Sequence, residues 1–205
     1  MPFSTHIFKE QTKNYINNFF HRNWNIIDIG AGCGTYSDML KPMGFFNLDA
    51  IEIYEPYIST YSLKNKYKTV YSDNIITTNI DFLKYEAAIL GDVLEHISIK
   101  DARIVLEKLD SVREVIIGVP FNAQQGEHYG NIYETHLQDK LTNQDFLSLY
   151  RGYDILCLRY DYGIYVKNNN KLKELYTLDI TDQDHEFLKH YYGHRQIINL
   201  NETKS

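Results

Sequence analysis

The sequence predicts an α/β protein: a doubly wound, seven-stranded, mostly parallel sheet with a terminal antiparallel hairpin. Three observations carry that prediction. A glycine cluster follows directly on an apolar run at 25–35, NIIDIGAGCGT. Short apolar runs then alternate with helical stripes as far as Pro120, the order of a parallel sheet with crossover helices. Two strand-like runs, 153–160 and 162–168, lie close together around Asp161 and Tyr162-Gly163 and read as a hairpin.

Taken in order, residues 8–21 place Phe8, Thr12, Tyr15, Ile16, Phe19 and Phe20 on one helical face, an amphipathic helix that packs on the sheet or lids a ligand. Strand one is 25–29, and a helix near 35–42 ends at Pro42 and Gly44. Strand two spans about 47–53, and Glu55-Pro56 opens a helix that runs to about Tyr67. Strand three, Thr69 to Ser72, delivers Asp73-Asn74 at its end, and strand four, Ala87 to Gly91, runs into Asp92-Val93-Leu94-Glu95-His96. Ile99, Ala102, Val105, Leu106 and Leu109 form the next helical stripe, and strand five runs from Glu114 to Val119.

Residues 121–140 show no clear period but are dense in hydrogen-bonding and aromatic side chains, among them Gln125, His128, Tyr129, Asn131, Tyr133, Glu134 and His136. A loop of that length in a compact domain is a candidate substrate loop or lid. Thr142 caps a helix from about Asn143 to Tyr150, ahead of the hairpin. Residues 171–205 lie beyond this order; Thr181 to Tyr192 reads as a helix with Phe187 and Leu188 on its apolar side. The organisation expected is therefore a domain at 1–170, N-terminal helix included, and an extension at 171–205 for accessory packing or homo-oligomerisation.

The glycine cluster carries the chemistry. Strand, tight turn and helix N-terminus need glycine where φ is positive and where a ligand approaches the backbone. A dinucleotide fingerprint, G-x-G-x-x-G, would put its third glycine at Thr35. Here the order is D-x-G-x-G-x-G, from Asp28 through Gly30, Gly32 and Gly34. About 20 positions on, LDAIEI supplies Glu52 at the end of strand two, where an acid meets ribose hydroxyls.

Over residues 20–168 these features, with ILGDVLEHI at 89–97 and VIIGVP at 115–120, resemble the class I S-adenosylmethionine-dependent methyltransferases. The resemblance implies a Rossmann-like methyltransferase fold with S-adenosylmethionine as cofactor. Asp28 and Gly30, Ala31, Gly32 and Gly34 would line its methionine and ribose, Glu52 would hold the ribose hydroxyls, Asp73 and Asn74 would meet the adenine, and Asp92 and Val93 would lie beside the methionine part. The chain lacks the D/N-P-P-Y/F string of amino methyltransferases acting on nucleic-acid bases and the P-C dipeptide of the cytosine C5 type. DNA is not an expected partner. His136, His128 and His96 are candidate bases for the acceptor's proton, because imidazole titrates near neutral pH.

Ubiquinone-biosynthesis O-methyltransferases and small-RNA 2′-O-methyltransferases are similar at the strand-four end, with E-x-x-E-H where this chain has Asp92-x-x-Glu95-His96, and the RNA enzymes add a later histidine that His136 could match. Asp92, Glu95, His96 and His136 are the set that would hold a divalent cation. No bound metal is the expectation, with Glu95 and His96 as caps of the following helix. His185, His190 and His194 are spaced too loosely for a site.

Bulk properties set the outer bounds. The 205 residues are 43% hydrophobic and 23% charged, as in an ordinary globular protein. No apolar run reaches a membrane span and MPFSTHIFKE has no signal-peptide pattern, so the expectation is a cytoplasmic protein with no membrane partner. Two cysteines, Cys33 and Cys157, form no C-x-x-C pair. The net charge is −6, and Lys64, Lys66 and Lys68 read as a solvated helix end. An acidic chain without a basic stripe favours a small-molecule or sugar-like acceptor over a polynucleotide, with RNA left open through the metal-assisted alternative. A non-catalytic cofactor-binding partner subunit is the rival from outside the enzymes.

Overall fold

The computed structural model describes residues 5–128, 130–167 and 172–202. Tyr129 and the 170/171 domain boundary expected from the sequence lie outside these residues. Among the described residues nine strands form one sheet, two more than the seven expected. They are β1 Ile26–Ile29, β2 Leu48–Glu52, β3 Thr69–Ser72, β4 Ala87–Gly91, β5 Glu114–Pro120, β6 Tyr153–Arg159, β7 Tyr162–Lys167, β8 Glu174–Leu178 and β9 Gln196–Asn199. The order across the sheet is β3-β2-β1-β4-β5-β7-β6-β8-β9. Strand β7 runs antiparallel to β5 and β6, and every other pairing is parallel.

Side chains alternate across the sheet and divide the core in two. Ile27, Ile29, Leu90 and Ile117 face the layer of α5 (Ile99–Lys108), α6 (Asn143–Leu149) and α7 (Asp182–Tyr192), through Val105, Phe146 and Leu188. Ile26, Ala50, Ile89 and Ile116 face α1 (Lys9–Phe19), α2 (Thr35–Leu40), α3 (Glu55–Thr60) and α4 (Leu63–Lys66), through Ile16, Leu40, Ile58 and Leu63. The strands near the centre are buried on both faces, which is why β4 and β5 read as nearly continuous apolar runs.

Two local departures from the sequence reading have clear causes. The single helix expected from Glu55 to Tyr67 breaks at Ser62, which takes φ 53°. Ile58 and Leu63, five positions apart, would point about 140° apart on one helix; the break lets both enter the same core. The hairpin is not terminal. Strand β8 returns alongside β6 and is followed by α7 and β9, a further βαβ unit. The buried Arg195 fastens it, donating from Nη2 to the carbonyls of Ile155 (2.7 Å) and Glu174 (2.6 Å). No helix among the described residues is long and apolar enough to cross a membrane.

Candidate functional site

The site is built where β1, β2 and β4 end. Strand β1 stops at Ile29, and Gly30, Gly32 and Gly34 all take positive φ, at 69°, 52° and 84°. The amides of Gly30 and Ala31 both bond the Ile51 carbonyl, which pins the turn to β2. A β-carbon on Gly30 would meet Val93 Cγ2 at 2.6 Å, so glycine is also required for the contact with the β4 end. Lys66, expected to be solvated, instead braces the turn: its Nζ donates to the Cys33 carbonyl at 3.0 Å and pairs with Asp38 at 2.5 Å.

Glu52 reaches back across this turn. One carboxylate oxygen accepts from the Gly32 amide and the other from the Tyr54 amide, both at 2.8 Å. Burial raises its pKa, offset in part by these two amides. Asp28 sits beneath the turn, fully enclosed, and accepts a hydrogen bond from the Tyr67 hydroxyl. Burial pushes its carboxyl up to about 7, with the Tyr67 bond and Lys9 pulling the other way. Asp73 is exposed and accepts from the Asn74 amide at 2.7 Å, while the Asn74 side chain accepts from the Ile76 amide at 2.9 Å. The pair thus shapes its own turn while lining the site.

Seven of the residues expected to hold the cofactor meet in one cavity of about 270 Å³, while Asp28, Ala31 and Gly34 lie outside its lining. Gly30, Gly32, Glu52, Asp73, Asn74, Asp92 and Val93 line one part of it. Tyr57, His96, Ile97, Ser98, Asp101, Asn131, Tyr133, Glu134 and Leu137 line the remainder. Five of the lining residues are acidic (Glu52, Asp73, Asp92, Asp101, Glu134), and none is Lys or Arg. Asp92 takes φ 60° and accepts the Thr5 amide at 3.1 Å, so the N-terminal segment closes over it.

The long loop folds onto the site, and its key contacts are invisible to periodicity. Amides of Leu137 and Gln138 both bond the Glu95 carbonyl, at 2.7 and 3.1 Å. The Gln138 side chain donates to the carbonyls of Leu94 and Ile97, at 2.7 and 3.0 Å, and accepts from Tyr150. Glu134, which sequence reasoning left unassigned, is buried at the cavity wall, accepting from the Tyr57 hydroxyl at 3.1 Å and from Gln125. Its only sequence signal was an acid inside a lid-like loop.

Docking of the loop brings His136 to His96, with ring centroids 4.7 Å apart. Ligand atoms of Glu95, His96 and His136 all lie within 4.8 Å of one another. Asp92 is not part of this triad, nor is His128, and among the described residues His185, His190 and His194 join no such group. Nδ1 of His136 lies 2.8 Å from the Ala123 carbonyl, and Nδ1 of His96 lies 3.4 Å from that of Thr135. A carbonyl only accepts, so Nδ1 carries a proton on each ring. Neither carboxylate oxygen of the buried Glu95 has a hydrogen-bond partner among the described residues, and burial raises its pKa well above the ordinary value. Burial, then His136, lowers His96 to about 4, so its ring is neutral at physiological pH. A carboxylate oxygen and two imidazoles anchored through Nδ1 are the donor set of a divalent-cation site, because ligating histidines carry such outer hydrogen bonds.

No protein-family model and no curated protein sequence matches this chain. Solved structures do. The methyltransferase domain of bacterial CtHen1-CN superposes with TM-score 0.58 at 16% identity, over 78% of this chain and 98% of that one. The 1,6-didemethyltoxoflavin-N1-methyltransferase of Burkholderia thailandensis, solved with 1,6-didemethyltoxoflavin and S-adenosylhomocysteine, gives 0.58 at 15% identity over 78% of each chain. Magnesium protoporphyrin IX methyltransferase from Synechocystis, solved with S-adenosylmethionine, gives 0.51 at 16% identity over 78% of this chain and 79% of that one. The likeness is one of fold: the chain has the Rossmann-like methyltransferase architecture.

Proposed function

We propose that the protein is an S-adenosylmethionine-dependent methyltransferase acting on a small acceptor. The observation that carries this is the joined pair of Gly32 and Glu52, an acid at the β2 end bonded to a left-handed glycine turn at the β1 end. Ribose hydroxyls would take over the carboxylate's acceptor capacity, and the glycines let the ligand reach the backbone. Two of the structural neighbours hold S-adenosylhomocysteine or S-adenosylmethionine, which supports the same cofactor here. When bound, the cofactor supplies a methyl group on a sulfonium, open to attack by an oxygen, nitrogen or carbon nucleophile.

This chain's part is alignment and exclusion of water. Tyr57, Tyr133, Ile97 and Leu137 give an apolar wall beside Glu134, a setting for a compact acceptor that donates a hydrogen bond. An acidic lining without Lys or Arg supports a neutral or cationic acceptor over a phosphate-rich one.

Calorimetric titration with S-adenosylhomocysteine, with NADH in parallel, tests the cofactor; micromolar binding of the first alone is expected, and a folded protein that binds neither would remove the reading. Glu52→Ala is expected to weaken S-adenosylhomocysteine by about 1–3 kcal/mol, the cost of a lost charge-assisted partner, and unchanged affinity would move the ribose contact elsewhere. Binding without turnover on any acceptor would point to a partner subunit instead.

The Glu95–His96–His136 triad favours a second reading, metal-assisted transfer to a hydroxyl, the 2′-oxygen of RNA included. A histidine held near 4 is a weak base but a good ligand, since neutral imidazole is the form that binds metal. Those three residues would hold the cation, which would polarise the acceptor hydroxyl. Activity abolished by EDTA, restored by Mg²⁺ or Mn²⁺ and absent in His136→Ala is the expected pattern; EDTA-insensitive turnover would exclude it.

A further inference from the structure

The loop segment from Asn131 to Gln138 is turned inside out. Its polar side chains Asn131, Glu134 and Gln138 are buried. Its large apolar ones face outward, with Ile132 63%, Tyr133 47% and Leu137 61% exposed. Hydrogen bonds enforce this. The Tyr57 hydroxyl holds Glu134 from the α3 side, and the carbonyls of Leu94 and Ile97 hold Gln138 from the β4 end. The Asn131 side chain accepts the Tyr133 amide at 3.0 Å. With the polar groups fixed inward, the apolar side chains between them are left at the surface.

Those side chains are not scattered. Tyr133 and Leu137 line the cavity, and Ile132 lies between two lining residues, Asn131 and Tyr133. Ile99 is 41% exposed and follows the lining residues Ile97 and Ser98. The bond from Gln138 to the Ile97 carbonyl joins the two stretches. These four are half of the eight exposed large apolar side chains among the described residues, and such concentration at a cavity mouth marks a ligand surface. The rim is small. Four partly exposed side chains offer on the order of a few hundred Å², well short of the roughly 800 Å² per partner of a stable protein interface. Behind the rim, the acidic lining without Lys or Arg repels an anion.

Resting on the methyltransferase reading above, we propose that Ile132, Tyr133, Leu137 and Ile99 bind the apolar flank of an amphipathic acceptor. This is a small molecule whose compact, uncharged or cationic head enters the cavity while an alkyl or aromatic portion stays at the rim. Among acceptors with the same head, the apolar portion then sets the preference. Each methylene that leaves water for the rim adds up to about fourfold in affinity.

The test is calorimetry of the full chain saturated with S-adenosylhomocysteine, with n-butylamine, n-hexylamine and n-octylamine as probes and the matching alkanoates beside them. Affinity is expected to rise by about fivefold or more from each amine to the next. The alkanoates should bind at least about tenfold more weakly than their amines. In the double variant Ile132→Asn, Leu137→Asn the rise along the series is expected to vanish. Leu83→Asn, which removes an exposed leucine outside the cavity lining, should keep it. Unchanged S-adenosylhomocysteine affinity shows that the double variant is folded. A flat wild-type series, a rise that survives in the double variant, or alkanoates that bind as well as amines would overturn the proposal and leave the cofactor reading intact. A wild-type dimer that the double variant splits would give the rim to a second copy and overturn it too. A wild type that binds no S-adenosylhomocysteine would remove the cofactor reading; the amine series, repeated without the nucleoside and with circular dichroism as the folding check, would still decide the rim.

Discussion

Replacing Gly32 by valine is expected to abolish S-adenosylhomocysteine binding in a protein that still folds. Gly32 holds φ 52° and gives its amide to Glu52 at 2.8 Å. A β-branched residue in the left-handed region carries about 1–3 kcal/mol of strain. Relief of that strain would rotate the amide away from Glu52. The new side chain would also stand where the ligand meets the backbone. Together these effects exceed about 3 kcal/mol, or roughly 100-fold in affinity. Calorimetry measures the loss, and circular dichroism shows whether the sheet is intact. Affinity within a few-fold of wild type would place the ligand away from this turn.

The second large effect is on stability, at Asp28. Its folded pKa is about 7 against an ordinary 3.8, chiefly because the carboxyl is wholly buried. Between those values the folded state keeps a proton that the unfolded chain releases, so this group's contribution to stability declines as pH rises from about 4 to 7 and levels off above. Asp28→Asn keeps an oxygen for the Tyr67 hydroxyl and removes the ionisation. The variant is expected to match wild type near pH 4 and to exceed it by about 2–4 kcal/mol at pH 8. S-adenosylhomocysteine binding should weaken in the same protein. Urea unfolding at the two pH values, with a ligand titration beside it, separates the outcomes; a pH-independent difference would mean that the carboxyl is not the titrating group. Opposite movement of stability and affinity would identify Asp28 as an acid retained for binding at a cost in folding.

Much of this was legible in the sequence because it depends on local rules. The glycine turn, the acid at the β2 end, the Asp92–His96 string after β4 and the β6–β7 hairpin each follow from residue type at short spacing. What stayed hidden depends on long-range pairing. Glu134 and Gln138 matter because backbone amides at 137 and 138 find the Glu95 carbonyl, and no side-chain pattern announces that. Lys9 carries no signal in the sequence, and its place beside the Tyr36 ring and Asp92 is set by the fold. Strand β8 does alternate, with Leu175 and Thr177 buried, but it is five residues in a polar stretch, too short for its period to stand out.

The added βαβ unit also changes how the sheet meets its surroundings. The seven-residue strand β6 would otherwise present a long row of unpaired amides and carbonyls, the kind of template that recruits a foreign strand. Capping it moves the open border to β9, four residues long and ended by the Asn199 side chain accepting the Asn201 amide. The opposite border, β3, is also four residues. The sheet therefore tapers at both ends, and its outermost strands are too short to seed edge-to-edge aggregation.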